Sequence, residues 1–305
     1  MNISILYGGS STEQKISIKT GLAIAEAIKD WYNLDMINLQ AEIDNVPQLL
    51  LGADLVFNAL HGGDGENGSI QSFLDLHHIP YTGSGAKPCK IAMDKNITKL
   101  IAKSVDIQTP NWILLKRNQN TGMQLYDNQS PKFSYPYVVK PSSEGSTFGL
   151  TIVKEESALE EAINCAAEFG DEILIEEFIP GKELTVGILG NKSLPIVEIK
   201  PYHDLYDYEC KYTEGMSDYI VPAELSDSLE RSLLEDALMI YKTIGCRHYA
   251  RVDFRLNEAG EHYFLEINTL PGLTSTSLLP KAAKAAGLEF PDLIDTIIKI
   301  ASMNK

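Results

Sequence analysis

Cysteine is scarce in this 305-residue chain, and long apolar runs are missing. The four cysteines, Cys89, Cys165, Cys210 and Cys246, lie far apart without a CxxC pair, which argues against a zinc cluster or a dense disulfide framework. No stretch approaches the roughly 18 apolar residues of a membrane span, and the first residues lack the basic segment of a signal peptide. We therefore expect reduced thiols in a cytoplasmic, unexported protein.

Positive charge is also in short supply. Lys and Arg total 26 against 42 Asp and Glu, for a formal net charge of −16. Such a field repels nucleic acid and anionic membranes, so neither is expected as a partner. An anionic ligand must instead be held by a local cationic pocket. The hydrophobic content of 44% is ordinary for a globular protein and excludes disorder as the main interpretation.

The first part of the chain alternates strand-like and helix-like patterns. After the first strand, Gly8, Gly9 and Ser10 form a turn that leads into an amphipathic segment. This alternation predicts an open parallel, Rossmann-like sheet in a domain of residues 1–84. The predicted strands are residues 3–7, 32–39 and 54–60, and the predicted helices are residues 13–29 and 69–77.

Two further segments are predicted, a central one of residues 85–179 and a C-terminal one of residues 180–305. The central segment begins with a helix that carries Met93, Asp94 and Lys95. The C-terminal segment contains a Tyr-rich irregular stretch, residues 202–219, and, further along, a strand hairpin. Other predicted strands are 112–116, 135–140, 149–153, 172–177 and 183–189, and other predicted helices are 156–169 and 226–245.

The hairpin joins residues 251–256 and 262–268 through a turn that contains Gly260. Symmetric closure of this turn would pair Asp253 with Glu266. Two opposed carboxylates repel each other, so a bound cation is expected between them. The same closure pairs Arg251 with Asn268, and it sets Val252, Phe254 and Leu256 against Ile267, Leu265 and Tyr263 on a core face.

Oxygen ligands from Asp253, Glu266 and Asn268 are hard donors that suit Mg²⁺. The alternative is a solvent-exposed polar face on which Arg251, Arg255 and His262 balance the acids.

A loop rich in glycine and hydroxyl groups follows Lys140, at residues 141–149. Its backbone amides can approach phosphate oxygens closely. It lacks Walker spacing, and an ordinary hairpin loop is the alternative. Lys140 favours the phosphate interpretation, because it ends an apolar run and a buried ammonium group needs an anionic partner.

A strand at residues 172–177 runs into a linker whose backbone and apolar side chains suit an adenine ring. Ribose hydroxyls would find acceptors among three carboxylates, although each is also explained as a solvated surface residue. The residues assigned to this nucleotide site are Glu176, Glu177, Phe178, Ile179 and Glu183.

Taken in order, seven motifs resemble those of the D-alanine:D-alanine ligase family within the ATP-grasp superfamily, and the similarity covers nearly the whole chain. The motifs are residues 8–13, 60–68, 81–85, 93–95, the Lys140 loop, 206–212, and 266–272 with 277–278. The resemblance implies an α/β ATP-grasp fold with an N-terminal parallel-sheet domain. It also implies ATP-dependent joining of two D-alanines through an acyl phosphate, for peptidoglycan precursor synthesis, by a cytoplasmic homodimer.

The resemblance assigns roles to particular residues of this sequence. Lys95, Lys140 and Lys211 would contact phosphates, Glu183 the ribose, and Asp253, Glu266 and Asn268 two Mg²⁺ or Mn²⁺ ions. Arg251 and the Gly272 amide would stabilise the tetrahedral oxyanion, and Glu13 would hold the ammonium group of the first D-alanine. Ser277 and the Leu278 amide would take the carboxylate of the second, Ser146 and Tyr212 would link a lid over the site to Glu13, and His61 would lie near the first D-alanine.

Some of these positions have structural alternatives. Ser10 and Glu13 have the spacing of a helix-capping box, and His61 alone would be a satisfied polar residue in a loop. The sequence also departs from the family pattern, with Ser143 in place of an arginine and Thr147 in place of a serine. Glu177 stands where a lysine is common, which puts a side-chain contact with adenine N7 in doubt.

Rival functions are ligases of the same fold that make D-alanyl-D-lactate or D-alanyl-D-serine, and a non-catalytic nucleotide-binding module. Tyr212 argues against the D-lactate enzymes, which often carry histidine there. Arg251 and the Ser277 element argue for a complete second substrate site.

Overall fold

The structure is a computed structural model. It describes residues 1–39, 49–50, 52–118, 122–125, 133–145, 147–202 and 215–303. These residues form one parallel and two antiparallel sheets with helices packed against them.

The N-terminal sheet is parallel, as predicted, and has the order β2-β1-β3. The central strand β1 is buried from Ile3 to Leu6, because helices cover both faces of the sheet. The third strand is shorter than predicted: it ends at Asn58, whose side chain accepts a hydrogen bond from the Leu60 amide and turns the chain. The elements are β1 (Asn2–Gly8), α1 (Gln14–Ile28), β2 (Asn33–Leu39), β3 (Leu55–Asn58) and α2 (Ser69–Leu76).

The capping-box interpretation of Ser10 and Glu13 is wrong. Helix α1 follows Glu13, whose side chain makes no capping hydrogen bond. The Glu13 amide instead donates to the Ser11 hydroxyl over 3.2 Å. The carboxylate of Glu13 therefore does not serve the end of its own helix.

The predicted helix around Met93 to Lys95 is two helices, α3 (Ala86–Met93) and α4 (Lys95–Ser104). Asp94 separates them in an extended conformation, and its carboxylate caps α4 by accepting from the Ile97 amide over 3.1 Å. The break lets the Lys95 amide donate to the Ser142 carbonyl over 2.9 Å. Asp94 thus aims the start of α4 at the loop that follows Lys140.

The central sheet is antiparallel, with the order β5-β4-β8-β6-β7. A short 3-10 turn, Glu156–Ala158, precedes helix α5 (Leu159–Ala167), which packs on the sheet through Ala162 and Ala166. Strand β5 was not predicted. The strands are β4 (Trp112–Asn118), β5 (Gly122–Leu125), β6 (Tyr137–Pro141), β7 (Thr151–Val153) and β8 (Glu172–Glu177).

The C-terminal sheet has six strands in the order β12-β11-β9-β13-β14, with β10 paired to β9. Tyr219, expected in an irregular stretch, lies in strand β12, and residues 203–214 of that stretch lie outside the described residues. The strands are β9 (Lys182–Leu189), β10 (Lys192–Ser193), β11 (Val197–Pro201), β12 (Ser217–Ile220), β13 (Tyr249–Leu256) and β14 (His262–Asn268). The helices are α6 (Asp227–Ile244), α7 (Leu278–Ala285) and α8 (Phe290–Met303).

The hydrophobic cores connect distant parts of the chain. Ile3 and Ile24 of the N-terminal sheet layer share a core with Leu279 and Ile297 of α7 and α8. Helices α3 and α4 pack against β9, β13 and α6 in a second core, rather than only on the central sheet that follows them. The predicted segment 85–179 therefore contributes to two cores.

Within the described ranges, no helix is long and apolar enough to cross a membrane. The three cysteines in these ranges, Cys89, Cys165 and Cys246, form no disulfide.

Candidate active site

A cleft with about 950 Å³ of empty space, part of it open to solvent, lies between the two antiparallel sheets. Lys95 at the start of α4 and Lys140 of β6 form a cationic wall, and the linker after β8 also lines the cleft. The C-terminal sheet contributes the acidic hairpin. Its lining includes Lys95, Lys140, Glu144, Gly145, Phe148, Glu176, Glu177, Phe178, Ile179, Glu183, Arg251, Asp253, Arg255, Leu265 and Glu266.

The acidic hairpin is formed by β13 and β14. Asp253 faces Glu266, as predicted. Two other predicted pairs are also present, Arg251 with Asn268 and Val252 with Ile267. Beyond Asp253 the register shifts, and Phe254 pairs with Phe264 rather than with Leu265. The predicted pairings of Phe254 and Leu256 are therefore wrong; Leu256 pairs with His262.

The physical cause is a β-bulge, in which one strand carries an extra residue without a partner. Leu265 is that residue, because β14 passes from Phe264 to Glu266 while β13 passes directly from Phe254 to Asp253. The bulge leaves Phe264 fully buried and places Leu265 beside Glu266 on the cleft wall. A residue assigned to the core thus belongs to the site.

Each hairpin acid has its own cation. Arg251 binds Asp253 through two hydrogen bonds, from Nε over 2.9 Å and from Nη2 over 2.8 Å. The Thr185 hydroxyl also donates to Asp253, and Glu266 lies 3.3 Å from the Lys95 ammonium nitrogen. The repulsion between the two acids is therefore relieved by side chains of the protein, which corrects the expectation that a bound ion is needed for this.

The oxygens of this hairpin fit a hard divalent cation. Asp253 and Glu266 lie opposite each other and both line the cleft. Asn268 is two residues further along β14, and its side-chain oxygen accepts from the Leu270 amide over 2.8 Å. No group of three or more His, Cys, Asp or Glu suited to a metal occurs among the described residues. The set is thus two carboxylates and an amide, which suits a cation that keeps water and phosphate oxygens as further ligands.

The cationic wall holds two nearly buried lysines, each about 7% exposed. Lys95 donates to the Glu144 carbonyl over 2.5 Å. Lys140 pairs with Glu176 over 2.8 Å, so the anionic partner predicted for Lys140 is Glu176. Two ammonium groups thus converge beside the loop that carries Gly145.

Glu176 lies beneath the cleft with 2% exposure. Its second oxygen is 3.1 Å from the ammonium nitrogen of Lys99. Because both oxygens face ammonium groups in a buried position, the prediction that this side chain accepts from the ribose is wrong. The Glu176 backbone remains at the start of the adenine linker.

Arg255 holds that linker in place, a role that the sequence analysis missed. Its Nε donates to the Ile179 carbonyl over 3.1 Å and its Nη2 to the Gly181 carbonyl over 2.9 Å. Its Nη1 donates to Glu183 over 3.3 Å, and the guanidinium lies 5.8 Å from the Phe178 ring centroid. The alternation of Arg251, Asp253 and Arg255 along β13 puts all three on one face, and this signal was present in the sequence.

Glu177 is held by hydrogen bonds to Asn111, the residue just before β4. Its amide donates to the Asn111 carbonyl over 2.8 Å, and its carboxylate accepts from the Asn111 side chain over 2.8 Å. The Phe178 amide donates to the Pro136 carbonyl over 3.3 Å. These bonds fix the course of the linker at the mouth of the cleft.

The Glu13 carboxylate lies between two glycine-containing loops and is 7% exposed. A Cβ atom added to Gly62 would be 2.8 Å from Glu13 Oε2, and one added to Gly145 would be 3.7 Å from it. Glycine at position 62, which also has φ of 69°, thus leaves the space that the carboxylate occupies. Glu13 adjoins the cleft through Gly145, which lines it.

His61 lies behind Glu13 and is 5% exposed. Its two ring nitrogens lie 3.0 Å from the Thr20 hydroxyl and 3.3 Å from Glu66. Its carbonyl accepts from the Ser11 hydroxyl over 2.6 Å, and that hydroxyl accepts from the Glu13 amide. His61 is therefore a hydrogen-bonded residue of the layer that supports Glu13.

Gly272 and Ser277 lie together at the start of α7. A Cβ atom on Gly272 would lie 3.0 Å from the Ser277 hydroxyl oxygen, so a side chain there would crowd it. The same hydroxyl is 2.8 Å from the hydroxyl of Thr274 and accepts from the Thr274 amide over 3.2 Å. Three predicted site residues, Ser146, Lys211 and Tyr212, lie outside the described residues.

Two antiparallel sheets that enclose a cleft, with lysines on one side and an acidic hairpin on the other, define an ATP-grasp enzyme. Within this class, sequence profiles identify the family: the D-ala D-ala ligase N-terminus matches residues 37–84 and the D-ala D-ala ligase C-terminus matches residues 101–299. The chain belongs to the D-alanine–D-alanine ligase family.

Relatives of known name agree over the full length. The chain is 41% identical to the D-alanine–D-alanine ligase of Syntrophotalea carbinolica, with 99% of this chain and 97% of that protein covered. It is 42% identical to the enzyme of Halalkalibacterium halodurans, with 99% of both chains covered.

Solved structures show the same fold. A crystal structure of D-alanine–D-alanine ligase from Bacillus anthracis in complex with ATP has a TM-score of 0.88 and 34% identity, covering 100% of this chain and 98% of that one. The VanG D-Ala:D-Ser ligase of Enterococcus faecalis has a TM-score of 0.83 and 28% identity, covering 98% of this chain and 99% of that one.

Proposed function

We propose that this chain joins two D-alanines into D-alanyl-D-alanine for peptidoglycan precursor synthesis, with ATP converted to ADP and phosphate. The observation that carries the proposal is that Lys95, Lys140, Arg251 and the acidic pair Asp253 and Glu266 line one cleft. This cleft lies in a chain about 40% identical to ligases of this name over its full length.

In the first step, a carboxylate oxygen of the first D-alanine attacks the γ-phosphorus of ATP, and the bond from that phosphorus to the bridging oxygen of ADP breaks. Lys95 and Lys140 provide positive charge for the phosphate oxygens. Glu183, which accepts a hydrogen bond from Arg255, would accept hydrogen bonds from the ribose.

Asp253, Glu266 and Asn268 would hold Mg²⁺ or Mn²⁺, with two ions expected. When bound, the metal neutralises charge on the phosphate oxygens of the nucleotide. The protein groups contribute the acidic surface on one side of the cleft and, through Lys95, a cation that already contacts Glu266.

In the second step, the amine of the second D-alanine attacks the acyl carbon. The nitrogen loses a proton, and the tetrahedral adduct collapses as its bond to the phosphate oxygen breaks. Arg251 and the Gly272 amide are assigned to the oxyanion of this adduct. The two hydrogen bonds to Asp253 fix the Arg251 guanidinium before substrate arrives.

The two amino acids would occupy separate subsites. Glu13 would bind the ammonium group of the first D-alanine, with His61 in the layer behind it. Ser277 and the Leu278 amide would bind the carboxylate of the second. Ser146 and Tyr212 are proposed to connect a lid over the site to Glu13, and Lys211 to contact phosphate. We also propose a homodimer in the cytoplasm, as the family resemblance implies.

The test is ATP-dependent phosphate release by the purified chain with D-alanine, D-serine plus D-alanine, and D-lactate plus D-alanine, with each product identified by mass. We expect D-alanyl-D-alanine as the dominant product. A dominant mixed dipeptide or depsipeptide would assign the chain to the rival ligases. Nucleotide binding without any product would make it a nucleotide-binding module and overturn the proposal.

A further inference from the structure

Lys99 is a buried cation that no step of the proposed reaction uses. It lies on α4, has 0% exposure and does not line the cleft. Its ammonium group donates to the Thr109 hydroxyl over 2.7 Å and to the Pro110 carbonyl over 3.4 Å. The Trp112 ring centroid is 5.2 Å away. Burial of an ammonium group is costly, so its retention there calls for a compensating partner.

That partner is Glu176, which Lys99 shares with Lys140. The Lys99 nitrogen lies 3.1 Å from one carboxylate oxygen, and the Lys140 nitrogen lies 2.8 Å from the other. We call Lys99, Glu176 and Lys140 the buried ion triad. With both lysines protonated the triad has a net charge of +1, whereas Glu176 and Lys140 alone would be neutral.

We infer that Lys99 is a positioning residue, which forms an ion pair with the inner oxygen of Glu176 so that the carboxylate does not neutralise Lys140 at the phosphate end of the cleft. The inference rests on the proposed function insofar as the anion beside Lys140 is a nucleotide phosphate. Lys99 itself touches no ligand, because it is fully enclosed.

The surroundings of Lys99 tie this charge to both sheets. The Thr109 hydroxyl that accepts from Lys99 donates to the Phe264 carbonyl of β14 over 2.8 Å. Phe264 directly precedes the bulge residue Leu265 in that strand. The ammonium group of Lys99 is therefore fixed between the central sheet, which carries Glu176, and the strand that carries the acidic hairpin.

The charge of the triad depends on pH. Burial lowers the pKa of Lys99 to about 8, with Lys140 and Lys103 lowering it further while Glu176 opposes the shift. Burial acts to raise the pKa of Glu176, but Lys140 and Lys99 outweigh it and hold that pKa below its ordinary value, so Glu176 stays ionised. The net charge of the triad thus falls from +1 toward zero as pH rises through about 8 and Lys99 loses its proton.

The experiment measures the dissociation constant of ADP with Mg²⁺, in the absence of D-alanine, from pH 7 to 9.5 for the wild type and Lys99→Met. Affinity of the wild type should fall about three- to tenfold as pH rises through 8, the size expected for one unit charge several ångströms away at intermediate dielectric. The Lys99→Met variant should bind ADP more weakly than the wild type at pH 7, and its affinity should not change between pH 7 and 9.5.

Lys103→Met is the matched control, since Lys103 lies on the same helix and 4.4 Å from the same Trp112 ring but is exposed. It should keep a pH-dependent profile, with the fall in affinity moved to slightly higher pH, because the charge of Lys103 lowers the pKa of Lys99. If Lys99→Met does not fold, the pH dependence of ADP affinity in the wild type tests the inference by itself. A flat wild-type profile, or an unchanged profile in folded Lys99→Met, overturns the inference. Because no D-alanine is present, failure of ligation would overturn the proposed function and leave this result standing.

Discussion

At the scale of single residues, the candidate site consists of charges that are held in pairs before any substrate arrives. Arg251 is bound by Asp253, Lys95 contacts Glu266, and Lys140 contacts Glu176. Such pairs fix the direction of each charged group, and a pre-oriented dipole stabilises developing charge without reorganisation during the reaction. Because the pairs differ in distance and exposure, substitutions of their members should differ in their effects on stability.

Asp253→Asn should abolish ligation and lower the free energy of unfolding by about 1–3 kcal/mol, the usual loss when a hydrogen bond to a charged group is broken. The reason is that the Arg251 guanidinium loses a carboxylate that accepts two of its hydrogen bonds. The measurement is urea unfolding of the protein without ligands, together with activity as a function of Mg²⁺ concentration.

Glu266→Gln is the matched comparison. Its ion pair with Lys95 is longer, 3.3 Å, and its side chain is 30% exposed, so activity should fall while stability changes by less than in Asp253→Asn. Equal losses of stability in the two variants, or activity of Asp253→Asn that saturates at the wild-type Mg²⁺ concentration, would contradict this account.

Glu13→Gln should raise the KM for the first D-alanine by about 10- to 100-fold, the loss expected for one charge-assisted hydrogen bond. The affinity for ATP should change little, because Glu13 lies between the Gly62 and Gly145 loops and outside the adenine linker. Initial rates against D-alanine, fitted with two substrate constants, and separate nucleotide titrations provide the measurement.

Glu26→Gln, an exposed position on the same helix, is the control and should behave as the wild type. Ser277→Ala should instead raise the KM for the second D-alanine. Parallel loss of ATP affinity in Glu13→Gln and Ser277→Ala would refute the assignment of two amino-acid subsites.

At the scale of elements, the linker after β8 depends on a residue from the neighbouring sheet. Arg255 of β13 donates to two linker carbonyls and to Glu183. One side chain therefore joins the central and C-terminal sheets at the mouth of the cleft, where the nucleotide base and ribose are proposed to bind.

Arg255→Ala should raise the KM for ATP about tenfold and leave the KM values for D-alanine unchanged, since roughly one net hydrogen bond to a charged group is lost at the nucleotide end. Steady-state kinetics with ATP varied at saturating D-alanine check the expectation. Arg231→Ala on α6, whose side chain is exposed, is the control. A selective rise in a D-alanine KM would show that Arg255 acts elsewhere.

Elements with strong periodicity were predicted well from the sequence. The strand at Glu172–Glu177 has the bounds that were predicted, and β1 and α1 differ by one or two residues. The short strands β10 and β12, of two and four residues, were missed, because a segment of this length is too short to show a distinct hydrophobic periodicity.

The errors inside the hairpin have a specific cause. Alternation along β14 predicts which face of the sheet each side chain lies on only if every residue is paired with one on β13. Leu265 has no such partner because it is a bulge residue, so the prediction fails from that point. Nothing in the local sequence marks it. The partners of buried charges could not be predicted either: Lys99 and Glu176 are 77 positions apart in the sequence, and only the folded structure brings their side chains to 3.1 Å.

At the scale of the whole molecule, a buried histidine joins the N-terminal and C-terminal parts. His248 is 3% exposed and accepts a hydrogen bond from the Gly83 amide over 3.1 Å. The neighbouring Arg247 donates to the Gly83 carbonyl over 3.1 Å. Residues near the end of the first segment are thus bound to the residues that lead into β13, behind the acidic hairpin.

Burial, and next the charge of Arg247, lower the pKa of His248 to about 4 from an ordinary 6.5. Between these two values the unfolded chain binds a proton that the native protein does not, so stability contributed by this group is present above pH 6.5 and is lost as pH falls toward 4. The wild type should lose about 1–3 kcal/mol through this residue over that range.

His248→Asn removes the titration and keeps a side chain that tolerates the left-handed backbone at this position, where φ is 68°. Urea unfolding at pH 7, 6, 5 and 4.5 should therefore show a smaller decline in stability for this variant than for the wild type. His78→Asn is the matched control, because His78 also has a positive φ, 55°, but is exposed. Parallel curves for the wild type and His248→Asn would show that acid sensitivity arises elsewhere, whereas a difference confined to His248→Asn would assign it to the junction of the two parts.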